Sequence, residues 1–312
     1  MDSFTDSGEL YTIRNQFYTN QHAKVRAYDL GLFSPENQLK VLEYQIRSSI
    51  ALCEDASELI VSGRSKFPDN ESFFQLLSAW DDLKSFGTDD STYFDDIDVA
   101  EFELQAVLTT IYLVKFGKDI DQAIKFMTSY IDNTNALAKY NELEPFLVLV
   151  QLHLIQGNLT AANKIFASLG KFPDSTRDSI IYQVLESWLL SVKGETENIN
   201  NSYYFYDELL SSDFDNDSQG KLKILNILFV LTLQLKHIPE AQELYTQIKA
   251  LEEKPNGDFI ANLVTYDYMI NGGKNVNELI DELKSHDPEH EFLSDWQEKN
   301  DRFDEIVVKF KN

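Results

Sequence analysis

The chain has 312 residues, of which 43% are hydrophobic, and its 52 acidic and 27 basic side chains give a formal net charge of −25. Such acidity argues against direct binding to nucleic-acid phosphates and against an anionic membrane surface. The negative charge has two possible roles: it serves solubility alone, or it attracts a basic protein partner.

Apolar residues recur at three- and four-residue spacing, whereas the alternation typical of half-buried strands is rare. This periodicity predicts an almost entirely α-helical fold. Ser34 is the expected N-cap of one helix, with Pro35 as its first residue. The acidic segment 87–98 lacks the ligand spacing of an EF-hand and is interpreted as a solvated loop. The helices predicted before this loop cover residues 10–18, 21–30, 35–53, 56–63 and 71–86.

Paired helices are predicted from residue 99 onwards. The last predicted helix has Asp287 as its N-cap and Pro288 at its first position. The predicted hairpins combine 99–116 with 120–132, 145–156 with 159–169, 178–192 with 199–210, and 221–235 with 239–251, followed by helices at 258–270, 276–285 and 288–310.

A small residue followed four positions later by a large one recurs along these hairpins at intervals of 39, 40 and 39 residues. Residues four apart share one face of a helix, so the small residue allows a close helix contact and the large one fills the gap between hairpins. The steady interval predicts a superhelical solenoid of stacked hairpins. The pairs are Ala123/Met127, Ala162/Phe166, Ser202/Tyr206 and Ala241/Tyr245.

The unit at residues 146–173 resembles a tetratricopeptide repeat, and the other units diverge from it. Lys118 and Lys236 stand where this unit has Gly157, and Ser202 replaces the alanine. We therefore expect divergent tetratricopeptide-like repeats over residues 1–287, clearest over 99–251. Residues 288–312 are expected to form a C-terminal capping helix of the same body.

A solenoid of hairpins presents a concave surface lined by the first helix of each pair, which suits an extended or helical peptide. The alternative for Phe116, Ile155 and Val230 is that they pack between hairpins. The cap is expected to cover the last repeat with Phe292, Trp296, Phe303 and Val307. The concave-face candidates are Tyr112, Phe116, Gln151, Ile155, Asn226 and Val230.

The sequence gives little support to an enzyme. Residues 286–290 (HDPEH) fit the pattern H-x-x-E-H of one zinc-peptidase class, but Pro288 prevents the continuous helix that would place both histidines on one face. Cys53 lies in an apolar run and is expected to be a small core residue. The chain contains no G-x-S-x-G, Walker A or G-x-G-x-x-G string. We expect no catalytic residues, no metal and no cofactor.

Membrane insertion is not expected either. The longest apolar stretch, 222–235, is interrupted by polar residues and is too short to cross a bilayer. The first residues have neither the basic nor the apolar region of a secretory signal. These features predict a soluble cytosolic protein.

The C-terminal segments 290–293 (HEFL), 296–299 (WQEK) and 303–307 (FDEIV) resemble the end of the epsilon subunit of coatomer, the COPI vesicle coat. Residues 203–209 (YYFYDEL) and 15–19 (NQFYT) are similar to segments of its fungal members. The resemblance implies a non-catalytic solenoid bound to the C-terminal region of the alpha subunit of coatomer and, through it, to the rest of the coat. It also implies a cytoplasmic protein, peripheral on Golgi membranes and COPI vesicles, that supports Golgi-to-endoplasmic-reticulum and intra-Golgi transport.

A tetratricopeptide cochaperone that binds short C-terminal peptides is the alternative function. Such a site needs a basic cluster to hold a carboxylate. The inward positions offer few cations, Lys115 and Lys223 among them.

Overall fold

A computed structural model describes residues 8–88, 92–134, 142–211, 214, 217–251 and 256–310. The chain divides into two compact units, Met1–Lys221 and Leu222–Asn312. The described residues form helices, short 3₁₀ turns and loops, with no strand among them. The predicted all-α repeat fold is confirmed.

The helices closely follow the predicted segments. In chain order they are α1 Tyr11–Tyr18, α2 His22–Arg26, α3 Gln38–Ala51, α4 Ser57–Lys66, α5 Glu71–Phe86, α6 Glu103–Lys115, α7 Ile120–Asn133, α8 Glu144–Ile155, α9 Leu159–Ser168, α10 Ile180–Lys193, α11 Thr196–Leu210, α12 Ser218–Gln234, α13 Ile238–Ala250, α14 Gly257–Asn271, α15 Val276–His286 and α16 Glu291–Phe310. The boundary between the two compact units falls within α12. The expected division at residue 287 stays a prediction.

Five predicted helix starts differ from the observed ones by three or four residues, and two of these are the starts predicted at a proline. Helix α3 begins at Gln38 rather than Pro35, because the Ser34 carbonyl accepts the N–H of Asn37 at 2.9 Å and closes a turn first. The Ser34 hydroxyl donates to Glu9 at 2.6 Å instead of capping the helix. A proline with its fixed φ suits the second position of a turn as well as the first position of a helix.

The last helix also begins three residues after the proline predicted as its first residue. Helix α16 begins at Glu291, and the Phe292 N–H donates to Nδ1 of His290 at 3.1 Å. Asp287 and Pro288 lie in the connection after α15, which ends at His286. The two histidines of the H-x-x-E-H string therefore do not share a continuous helix.

The small residues of the repeated pairs lie where the helices of each hairpin touch. Ala123, Ala162 and Ala241 are fully buried. Ser202 is also buried, and its hydroxyl donates across the hairpin to the Ser187 carbonyl at 3.0 Å. The Ser202 bond shows the predicted close helix contact in its hairpin, and the three alanines are buried as that contact requires.

Two aromatic residues of the pairs, Phe166 and Tyr245, contact the next hairpin. The ring centroids of Phe166 on α9 and Tyr182 on α10 are 4.9 Å apart. In the second unit, Tyr245 on α13 stacks on Tyr266 of α14 at 6.0 Å. At these two positions the large residue contacts the following helix, as the pattern predicts, whereas the hydroxyl of Tyr206 bonds Trp188 of its own hairpin.

The turn inside three hairpins has a left-handed residue at the same repeat position. Gly157 has φ +69°, and Lys118 and Lys236 have φ +52° and +60°. A left-handed backbone suits glycine and strains a residue with a Cβ. The two lysines therefore correspond to Gly157 in backbone conformation as well as in repeat position.

The N-terminal hairpin packs against distant parts of the first unit. Helix α1 contacts α3 and α10. The Ala23 N–H donates to the Asp217 carboxylate at 3.1 Å, which joins residues 194 positions apart. A Cβ on Gly220 would lie 2.3 Å from the Asn20 carbonyl oxygen, so this approach requires glycine.

The expected burial of Cys53 is wrong. Its side chain is exposed. Helix α3 ends at Ala51, and Cys53 follows in a left-handed conformation with φ +57°. The helical apolar face ends before this residue, so the apolar neighbours in the sequence do not bring it into the core.

Candidate partner-binding face

Two of the predicted concave-face residues lie one turn apart at the end of α6. Tyr112 stacks on Phe94 with ring centroids 5.0 Å apart and planes 17° from parallel. Phe116 also stacks on Tyr112, with ring centroids 5.6 Å apart and planes 21° from parallel. We call these three residues the ring stack. It leads from the buried Phe94 to Phe116, which is 36% exposed.

A cleft of about 250 Å³ opens beside the ring stack, where α5 and α6 end. The Tyr112 hydroxyl donates to Oδ1 of Asp95 at 2.6 Å, and this bond holds the carboxylate at the edge of the cleft. The residues that line this α5–α6 cleft are Leu83, Gly87, Thr88, Thr92, Phe94, Asp95, Tyr112 and Phe116.

Sequence reasoning missed the contribution of the acidic loop. The many aspartates of segment 87–98 predict a solvated loop, and this prediction includes Phe94 and Asp95. Phe94 is buried and also contacts Trp80, with ring centroids 6.0 Å apart. The aromatic pair Tyr93–Phe94 inside a charged loop is the signal that points to burial.

The next two candidates occupy the matching positions on α8, which packs against α6. Gln151 precedes the buried Ala162 by the same number of residues as Tyr112 precedes Ala123. Ile155 corresponds in the same way to Phe116. Gln151 is exposed, and 51% of Ile155 is exposed. Phe116 and Ile155 are therefore exposed at equivalent positions of two successive repeats, whereas Tyr112 is half-buried where Gln151 is exposed.

The two candidates on α12 are placed differently. Asn226 is buried, and its Oδ1 accepts a hydrogen bond from Nδ2 of Asn262 on α14 at 3.0 Å. Val230 is half-buried. Counted back from Ala241, Val230 is the equivalent of Gln151, and Asn226 lies one turn earlier, on the part of the helix that packs.

The first half of the terminal helix packs, and its second half does not. Phe292 and Trp296 are half-buried against Val264, Val276 and Ile280 of the second unit. Phe303 is 63% exposed and Val307 is half-buried. The expected capping role therefore has packing contacts at Phe292 and Trp296, whereas Phe303 faces solvent.

A buried group of charged side chains joins α3, α6 and α8 in the first unit. Lys40 Nζ lies 3.0 Å from Oε2 of Glu43 and 4.0 Å from Oε2 of Glu103. Arg47 bonds Glu43 at 2.9 Å and grips both carboxylate oxygens of Glu144. We call these five residues the charge network.

The charge network shifts the titration of its members. Burial alone raises the pKa of Glu144, but the charge and hydrogen bonds of Arg47 outweigh it and the pKa is lowered. At Glu103 burial dominates over the attraction of Lys40, so its pKa lies well above the ordinary value of 4.5. Arg14 of α1 extends the group toward Glu142 at 3.9 Å. The charge network can hold α3, α6 and α8 together. In the sequence, the feature that points to it is the spacing of Lys40, Glu43 and Arg47 on one face of α3.

The described residues include no group of three or more His, Cys, Asp or Glu side chains placed to hold a metal ion. Among the described helices, none is both long enough and apolar enough to cross a membrane.

Helical hairpins with exposed side chains at equivalent positions define an α-helical repeat protein. The family model described as coatomer epsilon subunit matches residues 121–311. The coatomer subunit epsilon of Saccharomyces cerevisiae is 24% identical over 97% of this chain and 98% of its own length. The probable coatomer subunit epsilon of Schizosaccharomyces pombe is 25% identical over 66% of this chain and 64% of its own. The chain belongs to the coatomer epsilon subunit family and is thereby a component of the COPI vesicle coat.

Proposed function

We propose that this chain is a non-catalytic structural subunit that clamps and stabilises the C-terminal region of the alpha subunit of coatomer. Through that subunit it would act in the cytoplasm, on Golgi membranes and COPI vesicles, in retrograde Golgi-to-endoplasmic-reticulum and intra-Golgi transport. The observation that carries the proposal is the exposure of Phe116 and Ile155 at equivalent positions of adjacent repeats.

The exposure of these two side chains supports a partner because the core does not account for it. A binding surface draws most of its free energy from a few apolar or aromatic anchors that become fully desolvated. Phe116 and Ile155 are anchors of this type, and Gln151 adds an amide that can bond a partner's backbone. The net charge of −25 favours a partner segment with basic side chains.

The cochaperone alternative gains no support from the α5–α6 cleft. A site for a C-terminal carboxylate needs cations. The charged residue that lines the cleft is Asp95, an acid, which would repel a carboxylate.

The test is a calorimetric titration of the full chain with the purified C-terminal region of the alpha subunit. We expect the wild-type chain to bind, and the double variant Phe116→Ala/Ile155→Ala to bind at least about ten times more weakly because two anchors are removed. The matched control is Val61→Ala on α4, a side chain that is 62% exposed and lies outside the candidate face. An unmeasurable affinity of the wild-type chain would contradict the proposal.

A further inference from the structure

We propose that the α5–α6 cleft is a binding site for one arginine side chain of the partner segment. This inference rests on the proposed function, because it specifies how one of the clamped residues is held. The guanidinium would lie flat on the Phe116 ring and donate to the Asp95 carboxylate.

The ring stack provides a surface for a planar group. Its rings lie within about 20° of parallel and become more exposed in the order Phe94, Tyr112, Phe116, from 3% at Phe94 to 36% at Phe116. A guanidinium is planar and weakly hydrated, and it stacks on aromatic faces. Such a group on the outer face of Phe116 would continue the stack by one layer.

The charge at the cleft also selects a cation. Asp95 receives the Tyr112 hydroxyl at Oδ1, and its second oxygen Oδ2 can accept a further donor. Lys84 of α5 places its ammonium 5.7 Å from the centroid of the Trp80 ring, where it is already engaged with another aromatic side chain. Among the described residues Asp95 is in no ion pair, so its carboxylate can attract a cation from the partner.

The size of the cleft favours a single side chain. Sites for drug-sized ligands usually measure about 300–1,000 Å³. The α5–α6 cleft, at about 250 Å³, lies below that range. Arginine is favoured over lysine because the ammonium of lysine is compact, strongly hydrated and has no flat face to stack.

The first experiment is an NMR titration of the ¹⁵N-labelled full chain with the tripeptide N-acetyl-Gly-Arg-Gly-amide. We expect saturable shifts of the amides of Asp95, Tyr112 and Phe116. Affinity should be at least about fivefold lower for the lysine peptide and lost for the citrulline peptide, which keeps the shape and removes the charge. Equal affinity for all three peptides, or shifts confined to other residues, would overturn the proposal.

Two variants locate the site. Phe116→Leu keeps an apolar side chain but removes the flat face, and Asp95→Asn removes the charge while keeping the shape. Each should weaken arginine-peptide binding at least about fivefold. Phe86→Leu is the control, because Phe86 is 77% exposed at the end of α5 and does not line the cleft. Unchanged binding in both cleft variants, with an unchanged melting temperature, contradicts the proposal.

The second experiment separates this inference from the proposed function. Each arginine of the alpha C-terminal region is replaced by lysine in turn. One replacement should weaken binding to the wild-type chain about tenfold and have little further effect on binding to Phe116→Leu. If the region binds but no replacement couples to Phe116, the arginine site is wrong and the clamp stands. If the region does not bind at all, the clamp is wrong, and the tripeptide titration decides the arginine site independently.

Discussion

The two ends of the described chain are fixed in different ways. At the N-terminal end, Phe17 of α1 lies 4.7 Å from the Arg47 guanidinium, and Arg47 grips Glu144 of α8. At the C-terminal end, α16 packs through Phe292 and Trp296, and the 84%-exposed Phe310 ends a helix without a buried residue. Among the described residues, the end with the weaker repeat pattern thus bonds to a helix 97 positions further along the chain.

This difference shows that resemblance to a repeat and strength of attachment are separate properties. A repeat pattern reports contacts with neighbouring hairpins, which recur at a fixed interval. The N-terminal helices instead contact α8, α10 and the start of α12, and these contacts follow no interval. The repeat pattern therefore does not predict the long-range contacts of the N-terminal helices of the first unit.

The largest effect is expected from breaking the charge network. Arg47→Met leaves Glu144 buried without its main partner, and removal of one member of a buried pair costs about 3–5 kcal/mol. The urea midpoint of the full chain, followed by circular dichroism, should fall accordingly. Arg47→Met/Glu144→Leu should recover part of the loss, and the exposed Arg302→Met on α16 should change little. A midpoint that is equal in the wild type and Arg47→Met would refute the role of this bond.

Two truncations test how α16 is attached at the C-terminal end. Deletion of residues 288–312 removes Phe292 and Trp296 and uncovers Val264, Val276 and Ile280, so we expect lower solubility and a loss of about 2 kcal/mol. Deletion of 298–312 leaves that packing intact and should change the free energy of unfolding by less than about 0.5 kcal/mol. Thermal unfolding and light scattering measure both effects. Equal effects of the two truncations would contradict the role of Phe292 and Trp296 in attaching this end.

The smallest effect is expected in the hairpin turns. Lys118→Gly places glycine in a left-handed position and should raise the free energy of unfolding by about 0.5–1 kcal/mol, since it relieves the strain of a Cβ. Lys125→Gly, in the interior of α7, is the control and should lower stability by about 1 kcal/mol. Chemical unfolding of both variants gives the comparison, and a destabilised Lys118→Gly would show that the lysine side chain matters more than the backbone.

Local chemistry made most of the fold predictable. The burial of Ala123, Ala162 and Ser202 follows from a four-residue spacing that any helix imposes. The starts of α3 and α16 were misjudged because Ser34 and Asp287 can serve a turn as well as a helix cap, and the choice depends on neighbours such as Glu9 that are distant in sequence.

The sequence predicts part of the candidate site, because the repeat fixes the positions of some of its residues. Tyr112, Phe116, Gln151 and Ile155 follow from repeat register alone. Phe94 and Asp95 reach the cleft through a loop whose path no periodicity fixes. Asn226 lies one helical turn before the position equivalent to Gln151, and it is buried because α14 packs there, with Asn262 donating to its side chain.

The hydrogen bond between Ala23 and Asp217 has a consequence for how the chain is made. Ribosomes add about 5–20 residues per second, so the 194 residues between these partners take roughly 10–40 s to synthesise. Until α8 and α10 are made, the N-terminal helices lack these partners, and Asp217 follows still later, so part of the apolar surface that they bury in the finished protein is exposed. Completion of the first unit is therefore a late event in synthesis, and chaperones that protect nascent chains would meet this protein at its N-terminal end.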